Sequence, residues 1–232
     1  IDLSNIIDIG INSLRNCKKL EDIIISDKNK NIKNTDGILI KNKKEIIYCK
    51  PDINTKDIII DNDVIKIREF SFYNCDNIEN ITLHDNITYI GKNCFENCKK
   101  LETIQLSNKL DIINDYMFFN CRKLENIVIP DNIKTYGKFC FSKCVSLRDI
   151  TISHNVVLID KSAFEDCVNL KNIIFKKFKN IETIHPTAFN NIGVRINIDT
   201  GCFNDDKLDE CGVCGGKGIP EGHCNCYIPI PK

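Results

Sequence analysis

The chain has 232 residues, 42% of them hydrophobic and 28% charged, which is enough apolar material to bury a sizeable core. Lysine plus arginine and aspartate plus glutamate are balanced at 32 each, so the zero net charge excludes a general attraction to nucleic acid or to an anionic membrane. Apolar runs are only a few residues long, far short of the ~20 needed to cross a bilayer, and we expect no membrane insertion.

The first predicted strand lies at Ile1-Asp2-Leu3, and the next comparable apolar run begins at Ile23. The sequence TDGILIKNKKEIIYCKP, residues 35–51, places an Asp36-Gly37 turn signal before two apolar runs, which is typical of a β-hairpin. This insertion accounts for the spacing from Ile23 to Ile58, which is 35 residues, or one period of 23 plus twelve.

From Ile58 onward, a strand is predicted at the start of every 23-residue unit. An isoleucine recurs at this interval and is followed two residues later by a second apolar residue, a period-2 step that turns alternate side chains inward. The recurring residues are Ile58, Ile81, Ile104, Ile127, Ile150, Ile173 and Ile196. Because a fixed period of this length is typical of stacked repeats, we predict a solenoid with one short parallel strand per repeat.

Two further columns contain phenylalanine and cysteine. The cysteines are Cys75, Cys98, Cys121, Cys144 and Cys167, and each follows a phenylalanine by three residues: Phe72, Phe95, Phe118, Phe141 or Phe164. Neighbours in a stacked column run parallel about 4.8 Å apart, whereas a disulfide needs converging Cβ atoms about 3.8 Å apart. We therefore predict that this column stays reduced and packs as small apolar side chains.

Units such as ITLHDNITYIGKNCFENCKKLET and ITISHNVVLIDKSAFEDCVNLKN resemble BspA-type leucine-rich repeats, whose pattern is I-x-I-P-x-x-I-x-x-I-G-x-x-A-F-x-x-C-x-x-L. The resemblance covers residues 1–198 and implies an α/β repeat fold, a right-handed leucine-rich-repeat solenoid of about eight units, with a hairpin insertion near 35–51. It also implies a surface protein, since members of this family are typically surface proteins of bacteria, protists and their viruses.

The outward positions of the predicted strands are our candidate binding surface. These positions are Asn80, Thr82, Thr103, Gln105, Asn126, Val128, Asp149, Thr151, Asn172 and Ile174. Small polar and apolar residues mix here without a stripe of one charge. Specific recognition and a solvated polar face explain this composition equally well.

A separate cysteine-rich tail is predicted over residues 199–232, where the apolar periodicity ends. Its cysteines are Cys202, Cys211, Cys214, Cys224 and Cys226, too dense for a segment that has no core of its own. We favour disulfides, as in cysteine-rich segments of secreted and virion-surface proteins. The alternatives are zinc bound by Cys211-x-x-Cys214 with Cys224-x-Cys226, and calcium bound by the acidic residues after Phe203.

Catalysis would require acids, bases or nucleophiles brought together at one place, and the four histidines are dispersed along the repeats and the tail. We therefore expect a non-enzymatic protein that needs no cofactor. The expected function is binding, adhesion or assembly at a cell or virion surface, with a protein, a glycan or copies of the chain itself as partner. The alternative is an intracellular protein-interaction scaffold with a zinc-binding tail.

Overall fold

The computed structural model describes residues 1–15, 17, 20, 22–175 and 183–192, together with the strand Arg195–Ile198. The predicted cysteine-rich tail, residues 199–232 with its five cysteines, lies outside the described residues. The described part of the chain consists of strands and turns and contains no helix. The strands in chain order are β1 (Ile32–Thr35), β2 (Ile38–Lys41), β3 (Glu45–Cys49), β4 (Asp57–Ile59), β5 (Lys66–Ile67), β6 (Asn80–Thr82), β7 (Tyr89–Ile90), β8 (Thr103–Gln105), β9 (Ile112–Ile113), β10 (Thr135–Tyr136), β11 (Asp149–Ile152), β12 (Leu158–Ile159), β13 (Asn172–Phe175), β14 (Thr183–Ile184) and β15 (Arg195–Ile198).

One side of the solenoid, which we call the strand face, carries the longer parallel strands. Strands β4, β6 and β8 form one three-stranded sheet, and β11, β13 and β15 form another. Partners lie 23 residues apart, as in Ile58 opposite Ile81 and Ile150 opposite Ile173. Between the two sheets, isolated bridges pair Gln105 with Val128 and Asn126 with Asp149. The predicted leucine-rich-repeat solenoid with a 23-residue period is thus confirmed.

The opposite side carries a second, shorter strand in each turn, which the sequence analysis did not predict. Strands β9, β10, β12 and β14 form a parallel sheet in that order, with Ile112 opposite Thr135 and Thr135 opposite Leu158. On the N-terminal side, β5 and β7 join the antiparallel hairpin strands β1, β2 and β3 in one five-stranded sheet. Each return segment therefore crosses as two extended residues and not as the helix that the expected α/β class implies.

Left-handed residues in every turn explain the absence of helix on the return side in the described repeats. The residue two positions before each stacked phenylalanine from Phe72 to Phe164 has a φ near +55°, as at Phe70, Asn93 and Ser162. A second such residue follows two positions after the phenylalanine, as at Asn74 and Asn97. Because a left-handed residue interrupts a right-handed helix, these positions force tight turns instead. Asparagine suits the second position because it tolerates this conformation better than most residues.

The core is built from stacked columns. The rings of successive phenylalanines from Phe72 to Phe189 are stacked, with neighbouring centroids 5.2–5.4 Å apart. The cysteine column is buried and its thiols are free, as predicted. Each turn adds the same apolar side chains to the interior, so the repeats bury one continuous core that no single repeat could close alone.

Candidate binding surface

The ten predicted surface residues all lie on the strand face, where the parallel register aligns them in two columns. Seven are exposed, namely Thr82, Thr103, Gln105, Asn126, Val128, Asp149 and Ile174, and Asn80, Thr151 and Asn172 are half-buried. Their neighbours in sequence, such as Ile81 and Ile104, are buried in the core. The alternation of the strands therefore separates an inward apolar set from an outward set that is open to a partner.

One of the two columns lies between the two inward-facing apolar positions of each strand, and it exposes branched apolar side chains. Ile59 and Val128 are each 83% exposed, and Ile174 is 37% exposed. Thr82 and Gln105 lie between Ile59 and Val128 along the stack. Ile59 was not included among the ten predicted surface residues. It lies between the inward-facing Ile58 and Ile60, which is the same pattern from which Val128 was predicted to face outward.

The other column, which lies one residue earlier in each strand, is held in place by hydrogen bonds between turns. The Asn80 amide nitrogen donates to Asp57 Oδ1 at 2.7 Å, and the Thr103 hydroxyl donates to Asn80 Oδ1 at 2.6 Å. In the second sheet, Asn172 Nδ2 donates to Asp149 Oδ1. These side chains are already ordered in the free protein, which lowers the entropy lost when a partner binds.

Ion pairs between turns line the edge of the strand face. Lys56 Nζ lies 2.8 Å from Glu79 Oε1, and Lys123 Nζ lies 2.9 Å from Glu102 Oε1. Arg148 and Glu125 form a looser pair at 3.8 Å. Because these groups are mostly exposed and screened by water and salt, each pair contributes little to stability. They leave the edge with both signs of charge and no strong field of either sign.

The potentially reactive groups of the described residues are dispersed or buried. His84 Nε2 bonds the backbone oxygen of Asp61 at 2.8 Å, and His185 Nδ1 bonds Thr187 Oγ1 at 3.0 Å. Burial raises the pKa of the Cys98 and Cys144 thiols well above the usual value. Among the described residues, no group of three or more His, Cys, Asp or Glu side chains is arranged to hold a metal ion. The same residues include no helix that is long and apolar enough to span a bilayer.

Comparison with known proteins places these features in context. The family described as the BspA type leucine rich repeat region matches the chain in six copies, over residues 1–36 and 48–171. No curated protein matches the chain significantly.

Solved structures share the fold. A leucine rich cell surface protein from Faecalibacterium prausnitzii A2-165 is 26% identical with a TM-score of 0.70, over 75% of this chain and 47% of that one. The T. pallidum leucine rich repeat protein is also 26% identical, with a TM-score of 0.53 over 56% of this chain and 62% of that one. The pneumococcal vaccine antigen PcpA, at 22% identity and a TM-score of 0.68, covers 76% of this chain and 45% of its own. The chain thus spans about half the length of the Faecalibacterium protein and of PcpA.

Proposed function

Because the chain belongs to the BspA-type leucine-rich repeat family, we propose that it is a non-catalytic binding protein that recognises a protein or glycan through its strand face. The proposal includes display on a cell or virion surface, in adhesion or assembly. One observation carries it: Val128, which is 83% exposed, lies in the middle of a face whose polar neighbours are fixed.

The energetics of the strand face support a partner there. Fully burying a valine or isoleucine side chain that is otherwise exposed contributes about 1.5–3 kcal/mol. Val128 and Ile59 offer that contribution at two points of one column, while Thr82 and Gln105 between them can form hydrogen bonds. An apolar anchor surrounded by ordered polar groups is the usual anatomy of a protein-binding surface.

Surface display is supported by the likeness to the Faecalibacterium protein, which is described as a cell surface protein. The competing function, an intracellular scaffold with a zinc-bound tail, uses the same strand face and differs only in compartment. The state of the five tail cysteines separates the two, because zinc ligation needs reduced thiolates and an oxidising exterior favours disulfides.

The experiment is a selection of binders followed by mapping of the face they use. The full chain is screened against displayed fragments of extracellular proteins and against an array of defined glycans. Affinities are then remeasured with Val128→Glu and Ile59→Glu on the strand face. The matched control is Ile112→Glu, since Ile112 is 38% exposed but lies on the opposite side of the solenoid.

We expect Val128→Glu to weaken binding about tenfold or more, the effect of losing one buried anchor, and Ile112→Glu to leave the affinity unchanged. Binders that tolerate both strand-face substitutions but are lost with Ile112→Glu would refute the proposal.

A further inference from the structure

A second exposed feature lies on a different edge of the solenoid, where the chain turns around the stacked phenylalanines. Tyr116, Phe119 and Phe139 come together there from two adjacent turns, and we call these three residues the aromatic edge. The Tyr116 and Phe139 rings stack with their centroids 5.0 Å apart, and Tyr116 meets Phe119 edge to face at 5.7 Å. All three side chains are half-buried, in contrast to the fully buried Phe118 and Phe141 beside them.

The backbone at the aromatic edge disfavours the residues found there. Tyr116 and Phe139 have φ values of 55° and 54°, in the left-handed region where bulky side chains are outliers. The equivalent position one turn before Tyr116 is Asn93, a residue type that tolerates this region. These rings are only partly buried and lie on a strained backbone, so they contribute little to the stability of the fold. A role at the surface therefore accounts for them better than a role in packing.

Three lysines belong to the turns that form the aromatic edge, and one of them contacts a ring through its ammonium group. The backbone oxygen of Lys138 accepts the Tyr116 N–H at 2.8 Å, and that of Lys161 accepts the Phe139 N–H at 3.0 Å, so the backbone of both lysines borders the residues that carry the rings. Lys143 Nζ lies 5.3 Å from the centre of the Phe119 ring. None of the ion pairs formed within the described residues uses these three ammonium groups. Two carboxylates also lie at this edge. Asp115 pairs with Lys92 at 2.7 Å and accepts the Lys138 backbone N–H at 3.0 Å, and Asp160 Oδ1 accepts the Lys161 backbone N–H at 2.6 Å.

From this arrangement we infer that the aromatic edge is a binding site for an acidic oligosaccharide, separate from the strand face. The faces of aromatic rings carry partial negative charge and attract the weakly positive C–H groups of a sugar ring. The ammonium group of Lys143, which lies over the Phe119 ring, supplies a charge-assisted hydrogen bond to a carboxylate or sulfate group of the same glycan, and Lys138 and Lys161 add positive charge from the turns that carry the rings. A nucleic acid fits less well, because the chain has no net positive charge and three lysines give only weak, strongly salt-dependent binding.

The test measures binding of defined probes to the full chain. The acidic probes are a hyaluronan octasaccharide, which carries carboxylates, and a heparin octasaccharide, which adds sulfates. Cellohexaose is the neutral probe, and a twelve-residue thymidine oligonucleotide and phosphatidylserine vesicles represent other polyanionic surfaces. Tyr116→Asn and Phe139→Asn remove the rings and place at these positions the residue that the chain itself uses at Asn93. Circular dichroism and urea unfolding check that the variants stay folded.

The matched control is Phe70→Asn, which removes an aromatic ring from the same left-handed position two turns away from the aromatic edge. We expect at least one acidic octasaccharide to bind more tightly than cellohexaose, with about tenfold weaker binding in Tyr116→Asn and Phe139→Asn and weaker binding in Lys143→Gln. Phe70→Asn and the strand-face variant Val128→Glu should bind the glycan as the parent chain does. Equal affinity for neutral and acidic glycans, no effect of the ring substitutions, or tighter binding of the oligonucleotide or vesicles would overturn the inference.

Since Val128→Glu tests only the strand face and the ring variants test only the aromatic edge, failure of one proposal leaves the other intact.

Discussion

The thiol of Cys121 donates a hydrogen bond to the backbone carbonyl oxygen of Phe95, which lies 26 positions earlier, at an Sγ···O distance of 3.1 Å. The same relationship recurs from Cys98 to Phe72, from Cys144 to Phe118 and from Cys167 to Phe141, at 3.0–3.1 Å. The cysteine column therefore connects successive turns through its thiol hydrogens, in addition to filling the interior.

The thiols of this column should be chemically inert in the folded protein. Burial raises the pKa of the Cys167 thiol to about 12, so almost no thiolate is present at pH 8. Treatment of the native chain with iodoacetamide should modify the exposed Cys17 and leave the column unmodified until urea unfolds the solenoid. Mass spectrometry of peptides measures each site. Native modification of Cys121 or Cys167 at the rate of Cys17 would contradict the structure.

The sequence analysis was most accurate for the side chains that the repeats bury in the core. Strands such as β6 and β13 combine period-2 alternation with the 23-residue interval, and both signals come from side chains packed in one continuous core. The return strands, such as β7, were missed because two extended residues are too short to show alternation. The rings of Tyr116 and Phe139 were missed for another reason, since in sequence an aromatic residue at a turn resembles a core residue.

Asparagine recurs at the repeat interval, a pattern that the sequence analysis did not use. Asn86, Asn132 and Asn155 occupy one column of the 23-residue repeat. Each donates its side-chain amide to a backbone oxygen 24 residues earlier, in the preceding turn, at 2.7–3.1 Å. Bonds of this kind satisfy loop carbonyl groups between turns. The recurrence of asparagine at the repeat interval could have predicted a structural role for this abundant residue.

Two glycines allow close approach of successive turns. A Cβ atom at Gly91 would lie 2.4 Å from the backbone nitrogen of Glu69, and one at Gly137 would lie 2.6 Å from that of Asp115. Gly91→Ala and Gly137→Ala should each lower the free energy of unfolding by about 1–3 kcal/mol, because backbone must move. Gly10→Ala is the control, since its Cβ meets only the Ser13 side chain. If urea unfolding shows that Gly10→Ala lowers the free energy of unfolding as much as Gly91→Ala and Gly137→Ala do, this explanation is wrong.

The compartment of the protein can be tested at its tail. If the chain works outside a cell, alkylation of the purified, unreduced chain under denaturing conditions should leave most of Cys202, Cys211, Cys214, Cys224 and Cys226 unmodified, because they are oxidised. The nine cysteines of the described repeats should all react in the same sample, which provides the internal standard. Four or more reactive tail thiols together with one equivalent of bound zinc would favour the intracellular scaffold instead.

Stability below neutral pH should depend on a charge network that ties the N-terminal turn to the hairpin. The Arg68 guanidinium, whose side chain is only 11% exposed, bonds Glu45 Oε2 at 2.8 Å and Asp8 Oδ1 at 3.0 Å, and Lys41 Nζ also bonds Asp8. Burial by itself raises the pKa of Asp8, but the hydrogen bonds from Lys41 and Arg68 outweigh it and lower this pKa to about 2. The pKa of Glu45 is lowered in the same way by Arg68, despite its burial.

A lowered pKa in the folded state means that the ionised carboxylates stabilise the fold above their ordinary pKa, near 4, and that this stabilisation is lost as the pH falls toward 2. Asp8→Asn should therefore lower the melting temperature at pH 7 and make it fall less steeply between pH 4 and pH 2 than in the parent chain. Asp63→Asn, at an exposed position that forms no ion pair in the described residues, is the matched control. The measurement is the melting temperature, followed by circular dichroism across this pH range. Parallel pH profiles for the parent chain and Asp8→Asn would show that the network does not contribute to acid sensitivity.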